Sequence, residues 1–203
     1  MSVVLYWYPM SSATPVACAL AELDLPHERV KIDIRAGEQH RPDYLALNPN
    51  GKVPTLTVDG APMFEALAIQ LWLGETYGVE RGLWPAAGTP ERLQALSWCA
   101  WAYVSYGAVL TRLHRATLGD EALRSSAHAD AAGAELNELL ALLDTRLARQ
   151  PWMLGDTYSL ADLLVGSVIG YSVYIGAPVA AHAHVQQWLG RVQARPAMQN
   201  EGV

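Results

Sequence analysis

A change of secondary-structure pattern near residue 78 is the feature that most limits how this 203-residue chain can fold. Before it, short apolar runs alternate with helical patterns in the order β-α-β-α-β-β-α. After it, a Gly/Pro-rich connector is followed only by helical patterns. We therefore predict an α/β domain over residues 1–78, a linker over 79–89 and an all-helical domain over 90–203.

The element order of the first domain is that of a thioredoxin-like layer, a mixed sheet with helices on both faces. The run VVLYWY predicts the first strand, and VPTLTVDGAPMFE predicts a hairpin that turns at Asp59-Gly60. In the helical part, Ser159 and Asp162 form the pattern of an N-cap and an acid that reaches back to it. The predicted fold class is therefore α/β plus all-α, with a thioredoxin-like N-terminal domain and an all-helical C-terminal domain.

Composition argues against several classes of protein. The net charge is −6, and the 14 Lys and Arg residues are spread along the chain, whereas a nucleic-acid interface needs clustered cations. No uninterrupted apolar run approaches the roughly 18 to 20 residues of a membrane span. The N-terminus lacks the pattern of a secretory signal. We therefore expect a cytoplasmic protein that binds neither nucleic acid nor membrane.

The cysteines and one histidine pair give little indication of a redox or metal-binding role. Cys18 and Cys99 fall inside helical patterns and are expected to be buried free thiols. His182 and His184 form an H-x-H pair, but the sequence places no further ligands beside them. We predict no metal site.

Three motifs point to a family. NPNGKVPTL, FEALAIQLWL and WMLGDTYSLAD occur in this order and are combined with a helical second half. The chain thereby resembles the cytosolic glutathione S-transferase superfamily over essentially its full length. The resemblance implies a homodimer whose first domain binds glutathione and whose helical domain binds a small hydrophobic electrophile. Glutathione would be a co-substrate, and no cofactor is expected.

The resemblance places the cysteinyl part of glutathione along Val53-Pro54. Proline has no N–H, and a cis bond at this point would turn the backbone of Val53 outward. Its N–H and C=O would then be unpaired, so that an extended peptide could pair with them. Lys52 could meet the glycyl carboxylate, and Gln39 lies in a stretch that resembles the family's second glutathione-contacting loop; solvated surface side chains are the alternative for both.

Glu65 and Ala66 stand at the predicted start of the third helix, where free N–H groups favour an anion. The resemblance implies that Glu65 pairs with the ammonium group of the γ-glutamyl end of glutathione. Ala66 replaces the family's usual serine, so that only its backbone N–H can donate. A hydrogen bond to a charged group typically contributes roughly 1.5 to 3 kcal/mol. Ala66 therefore predicts weaker glutathione binding or a different ligand.

Ser11 and Ser12 lie between the first strand and the first helix. A thiolate is the reactive form of a thiol, and a hydroxyl that donates to the sulfur lowers the thiol's pKa. Aligned on Pro9, Ser11 matches the serine of insect-type enzymes and Ser12 the cysteine of bacterial cysteine-type enzymes. This alignment favours Ser11 as the catalytic residue, with Ser12 as the alternative, and the remaining serine is expected to be a turn or N-cap hydroxyl. The loop has no cysteine, which argues against disulfide exchange through an enzyme thiol.

The pocket for the second substrate is expected to combine Met10 with aromatic residues of the long helix after the connector, Trp101, Tyr103 and Tyr106. Two other functions remain open at this point. One is a non-catalytic member that binds small molecules or protein partners, which Ala66 favours. The other is a glutathione-dependent isomerase or lyase, although the Cys and Arg pattern that follows the paired serines of the isomerases is absent here.

Overall fold

The computed structural model describes residues 1–201 and divides the chain into two compact units. The first unit comprises Met1–Ala86 and the segment from Ala194 onward, and the second comprises Ala87–Gln193. The boundary at Ala86 falls inside the predicted linker. Residues 202 and 203 of the predicted helical domain lie outside the described residues.

The first unit is an α/β layer. Its strands are β1 (Val3–Trp7), β2 (Glu28–Lys31), β3 (Thr55–Val58) and β4 (Ala61–Phe64), and its helices before the boundary are α1 (Thr14–Glu22), α2 (Pro42–Leu45) and α3 (Ala66–Leu73). The second unit contains α4 (Pro90–Trp101), α5 (Gly107–Thr117), α6 (Ser126–Leu147), α7 (Leu160–Tyr174) and α8 (Ala183–Gln193), with a π-helical turn, Ala102–Tyr106, between α4 and α5. The predicted fold class is confirmed. Within residues 1–201, no helix has the length and apolar character that a bilayer span requires.

The sheet brings three strand ends together. Its strand order is β2-β1-β3-β4, with β1 parallel to β2 and antiparallel to β3, and β3 antiparallel to β4. Tyr6 pairs with Thr55, and Thr55 pairs with Phe64. The carboxyl ends of β1 and β4 and the amino end of β3 therefore lie at the same end of the sheet. The turn at Asp59-Gly60 has the positive φ angles, 47° and 85°, of a type I′ hairpin.

A final helix, α9 (Pro196–Glu201), belongs to the first unit rather than to the helical domain predicted over 90–203. The reason is that α9 packs on α1, and Arg195 donates two hydrogen bonds, of 2.9 and 2.5 Å, to the carboxylate of Glu22. Trp84 extends the first unit beyond residue 78, because its ring lies against Gly74 so closely that a Cβ there would be 2.7 Å from it. The contact of Arg195 with Glu22 spans 173 positions, which local patterns do not reveal, and that of Trp84 with Gly74 crosses the boundary predicted at residue 78.

In the second unit, Asp144 of α6 caps the start of α8. Its Oδ1 accepts hydrogen bonds from the backbone N–H groups of His184, at 2.8 Å, and Val185, at 3.1 Å, and its Oδ2 is 2.9 Å from Nδ1 of His184. Partial burial raises the pKa of Asp144, but these hydrogen bonds outweigh burial, so that the pKa lies below its ordinary value. The charged form is therefore favoured by folding.

We expect the negative charge of this carboxylate at the amino end of α8 to contribute about 0.3 to 1 kcal/mol of stability, the usual size of a charge at a helix terminus. Because the pKa of Asp144 is lowered in the folded state, this contribution is complete above the unfolded value of about 4 and disappears as the pH falls below it. Urea unfolding of the native protein and of Asp144→Asn should show a constant difference above pH ~4 and a shrinking one below. A difference that grows on acidification would contradict the cap.

Candidate active site

The loop after β1 uses Ser11 to close a turn. The hydroxyl of Ser11 donates to the carbonyl of Tyr8 at 2.6 Å and accepts from the N–H of Ala13 at 3.1 Å. Both its donor and one acceptor position are thus used within the loop. Met10, just before it, has a φ of 53° and is 78% exposed.

Ser12 points to a different partner. Its hydroxyl donates to the backbone carbonyl of Val53 at 2.8 Å, and the residue itself is exposed. The expectation that both backbone groups of Val53 are unpaired is therefore wrong for the carbonyl. The N–H of Val53 has no hydrogen-bond partner within residues 1–201.

The Val53-Pro54 bond is cis, as predicted. The preceding residue, Lys52, is held by its carbonyl, which accepts from the hydroxyl of Tyr44 at 2.6 Å and from Nδ2 of Asn48 at 2.7 Å. Burial raises the pKa of Tyr44, which keeps its phenol protonated as a donor. Sequence reasoning missed both holding residues, although Asn48 opens the NPNGKVP motif and could have been found there.

A cavity of about 240 Å³ lies beside this segment, and its lining residues are Ser11, Ser12, Ile34, Gln39, Gly51, Lys52 and Val53. Nε2 of Gln39 donates to the carbonyl of Ile34 at 3.2 Å, while its buried Oε1 has no partner among the described residues. Gly51 has a φ of 59°, and a Cβ there would lie 2.8 Å from the ring of His40. Glycine is therefore required for the chain to pass this point. The structure brings both serines together with three of the predicted glutathione-binding residues.

Glu65 and Ala66 lie at the same end of the sheet. The register that pairs Thr55 with Phe64 sets Pro54 and Glu65 just beyond the last pair of the hairpin. Glu65 precedes α3 with a φ of 70°, and its exposed carboxylate makes no hydrogen bond or ion pair with another described residue. The ammonium of Lys52 is likewise exposed and has no partner within residues 1–201. The unpaired cation, Lys52, thus lines the cavity, while the unpaired anion, Glu65, lies beside Pro54 at the same end of the sheet.

The predicted aromatic wall of the second unit needs one correction. Tyr106 is fully buried, and its hydroxyl donates to Oγ of Ser172 at 2.8 Å. Burial raises the pKa of Tyr106 to about 12. Tyr106 is therefore a core residue and not part of a pocket surface, because its place on the π-helical turn directs it toward α7. Trp101 and Tyr103 are partly exposed, so both remain able to contact a ligand.

The two cysteines are buried, and the two histidines of the H-x-H pair contact polar side chains. Cys18 and Cys99 are buried and form no disulfide, as predicted. His182 lies 3.0 Å from Oδ1 of Asn137, and His184 contacts the capping Asp144. Residues 1–201 contain no group of three or more His, Cys, Asp or Glu side chains arranged to hold a metal ion.

Comparison with known proteins gives consistent results for both units. The family model for the glutathione S-transferase N-terminal domain matches residues 1–75, and that for the C-terminal domain matches residues 103–196. The chain is 32% identical to Glutathione S-transferase GstB of Escherichia coli over 190 residues, which cover 90% of this chain and 88% of that protein.

Two solved structures share the fold over nearly the whole chain. The theta class glutathione S-transferase of Xanthomonas axonopodis pv. citri, with glutathione bound, is 28% identical with a TM-score of 0.85, and the match covers 100% of this chain and 97% of that one. The glutathione transferase URE2P8 of Phanerochaete chrysosporium, with oxidized glutathione, is 24% identical with a TM-score of 0.89, covering 98% and 93% of the two chains.

Proposed function

This chain belongs to the glutathione S-transferase family, and on that premise we propose that it transfers glutathione to a small hydrophobic electrophile. The observation that carries the proposal is the hydrogen bond from the Ser12 hydroxyl to the backbone carbonyl of Val53. Both residues line an open cavity at one end of the sheet. The relatives named above supply the ligand class, since one of them holds glutathione in its structure.

Glutathione matches the free groups of this site by charge. Its glycyl carboxylate would pair with Lys52 and its γ-glutamyl ammonium with Glu65, both of which have no charged partner within residues 1–201. The cysteinyl backbone would accept from the N–H of Val53 next to the cis proline. Gln39 supports this assignment, since its buried Oε1 needs a donor. Ala66 offers only its backbone N–H.

We assign the catalytic hydroxyl to Ser12 rather than to Ser11. The Ser11 hydroxyl is occupied within its own turn, both as donor and as acceptor. The Ser12 hydroxyl holds one contact, to the carbonyl of Val53, at the place where the cysteinyl segment would pair. A ligand amide that donates to this carbonyl would free the Ser12 proton for the sulfur. Ser11 then has the structural role expected for one of the two serines.

The reaction is a nucleophilic displacement. The thiol proton leaves to solvent, and the Ser12 hydroxyl donates a hydrogen bond to the thiolate that remains, which lowers the thiol's pKa. The sulfur attacks the electrophilic carbon, the C–S bond forms, and the leaving group departs with its electron pair. No enzyme thiol takes part, since the described cysteines are buried.

Glu65→Gln tests the recognition of glutathione. The variant keeps the shape of the side chain and removes its charge. We expect the KM for glutathione to rise about three- to tenfold with little change in kcat, because this is the usual contribution of an exposed charge-assisted hydrogen bond to binding. Glu80→Gln, which makes the same charge change in the turn after α3, serves as the control. Equal KM values for the two variants would exclude Glu65 from the ammonium site.

The transferase proposal is tested by conjugation of glutathione to an activated aryl halide, 1-chloro-2,4-dinitrobenzene, measured beside glutathione binding by calorimetry. The proposal expects binding and conjugation above the uncatalysed rate. Binding without conjugation of this or other electrophiles would favour the non-catalytic alternative instead. Absence of glutathione binding would contradict the transferase proposal and leave only a binding protein with a different ligand or a protein partner.

The proposal extends to a cytoplasmic homodimer. Its support is the family resemblance together with exposed apolar side chains, among them Leu93 and Val104, which are 65% and 66% exposed. Analytical ultracentrifugation should give twice the mass of the 22.1 kDa chain. A monomer at micromolar concentration would contradict this part of the proposal alone.

A further inference from the structure

The loop after β1 carries an oxidisable side chain, the thioether of Met10, beside Ser11 and Ser12. Met10 is 78% exposed, more than any other large apolar side chain of residues 1–201. Its side chain makes no hydrogen bond or ring contact with another described residue. Burial is what usually stabilises an apolar side chain in a folded protein. Packing therefore does not account for a methionine at this position.

The backbone of Met10 has a conformation that methionine rarely adopts. Among residues 1–201, four residues other than glycine have a positive φ: Met10 at 53°, Asp24 at 46°, Asp59 at 47° and Glu65 at 70°. Aspartate tolerates this region because its short carboxylate can bond to the nearby backbone, which a thioether does not do. Met10 follows β1 and Glu65 follows β4, so both lie at the end of the sheet that holds the serine site, the cavity beside Ser11 and Ser12. Backbone strain of this kind clusters at functional sites.

The turn that presents Met10 also sets its distance from Ser12. The hydroxyl of Ser11 donates to the carbonyl of Tyr8 at 2.6 Å, so that the chain turns over Pro9 and Met10. Consecutive Cα atoms are about 3.8 Å apart, and the Cα atoms of Met10 and Ser12 are therefore separated by at most about 7 Å. The methionine side chain is unbranched and has three rotatable bonds. Its sulfur can thus reach the exposed hydroxyl of Ser12.

Oxidation changes the chemistry of this side chain. A lone pair of the Met10 sulfur attacks one oxygen of a hydroperoxide, the O–O bond breaks and an S–O bond forms. The second oxygen leaves with the bonding electrons and takes up the proton, so that the peroxide departs as an alcohol or as water. The sulfur is oxidised by two electrons and the peroxide is reduced by two. The thioether, a weak acceptor, becomes a sulfoxide, which is polar and accepts hydrogen bonds through its oxygen.

We propose that Met10 is a site of reversible oxidative regulation, at which the sulfoxide oxygen competes with the thiolate of glutathione for the hydroxyl of Ser12. The proposal rests on the proposed function, because the bound thiolate is the competitor. In the reduced protein the Ser12 hydroxyl is available to the sulfur of glutathione. In the oxidised protein the sulfoxide accepts its hydrogen bond for part of the time, and conjugation slows. A methionine sulfoxide reductase restores the thioether.

Met1 provides a matched control, since it is 72% exposed but its sulfur accepts a hydrogen bond from the hydroxyl of Tyr77 at 2.9 Å. The native protein, Met10→Leu and Met1→Leu are treated with hydrogen peroxide, freed of it and compared with the same protein left untreated. Peptide mass spectrometry should show one oxygen gained at Met10. We expect kcat/KM for conjugation to fall about three- to tenfold in the native protein and in Met1→Leu, the size of one exposed hydrogen bond, but not in Met10→Leu. Methionine sulfoxide reductase should reverse the loss.

Ser12→Ala tests whether the sulfoxide acts through the hydroxyl. This variant has no hydroxyl to compete for, so oxidation of Met10 should leave its residual conjugation rate unchanged. An equal fractional loss in Ser12→Ala, a loss that persists in Met10→Leu, or a Met10 that stays unoxidised while Met1 is oxidised would each overturn the proposal. Failure of the transferase proposal is a different result, because the untreated native protein would then not conjugate glutathione, and it would overturn both.

Discussion

Asp162→Ala is expected to lower the free energy of unfolding by about 3 to 5 kcal/mol, because several buried donors lose their acceptor at once. The Asp162 carboxylate is fully buried and accepts from the N–H of Met153 at 2.7 Å, the N–H and hydroxyl of Ser159 at 3.0 Å and the indole N–H of Trp188 at 2.9 Å. Burial raises the pKa of Asp162, and these hydrogen bonds act against burial. The carboxylate therefore ties the start of α7 to the preceding loop and to α8.

Two further variants make this prediction specific. Asp162→Asn keeps one carbonyl acceptor and should lose less stability than the alanine variant. Asp156→Ala removes an exposed carboxylate from the same loop and should change the free energy of unfolding by less than about 0.5 kcal/mol. Denaturant unfolding of the three variants would contradict the account if Asp162→Ala behaved like Asp156→Ala.

Ser12→Ala is expected to lower kcat/KM for glutathione conjugation about 10- to 100-fold near neutral pH, because a hydrogen bond to a charged group contributes roughly 1.5 to 3 kcal/mol. The loss should lie mainly in kcat, since the hydroxyl acts on the thiolate. Ser12→Thr retains a hydroxyl and should recover part of the activity.

Ser11→Ala is the matched comparison. It removes the bond to the carbonyl of Tyr8 and the acceptor for the N–H of Ala13, so we expect a loss of about 1 kcal/mol of stability with a smaller effect on kcat/KM. A large loss of kcat in Ser11→Ala beside a nearly native Ser12→Ala would reverse the two roles.

The order of the strands and helices could be predicted from the sequence, because the residue patterns that mark their starts and turns are local. The hairpin at Asp59-Gly60 and the capping box of Ser159 and Asp162 each depend on residues within a few positions. The sequence does not predict that α9 belongs to the first unit. The position of this helix depends on the contact of Arg195 with Glu22, which is 173 residues away in sequence.

The site could be predicted in part. Family motifs located the proline, Lys52 and Glu65, and the serines were found from their place after the first strand. The choice between Ser11 and Ser12 depends on a hydrogen bond to Val53 across 41 positions. Alignment on Pro9 favoured Ser11, while the hydrogen bonds favour Ser12. Tyr106 was misplaced because a helical pattern located only to within a few residues does not fix which side of the helix a ring occupies.

The central claim, that the Ser12 hydroxyl stabilises the thiolate of bound glutathione, is tested most directly by titrating that thiol. Ultraviolet difference absorption of the thiolate can be followed against pH for glutathione bound to the native protein, to Ser12→Ala and to Ser11→Ala. The account predicts a bound thiol whose pKa lies below that of free glutathione in the native protein and in Ser11→Ala, and returns toward the free value in Ser12→Ala. A bound thiol that titrates identically in the native protein and in Ser12→Ala would contradict it.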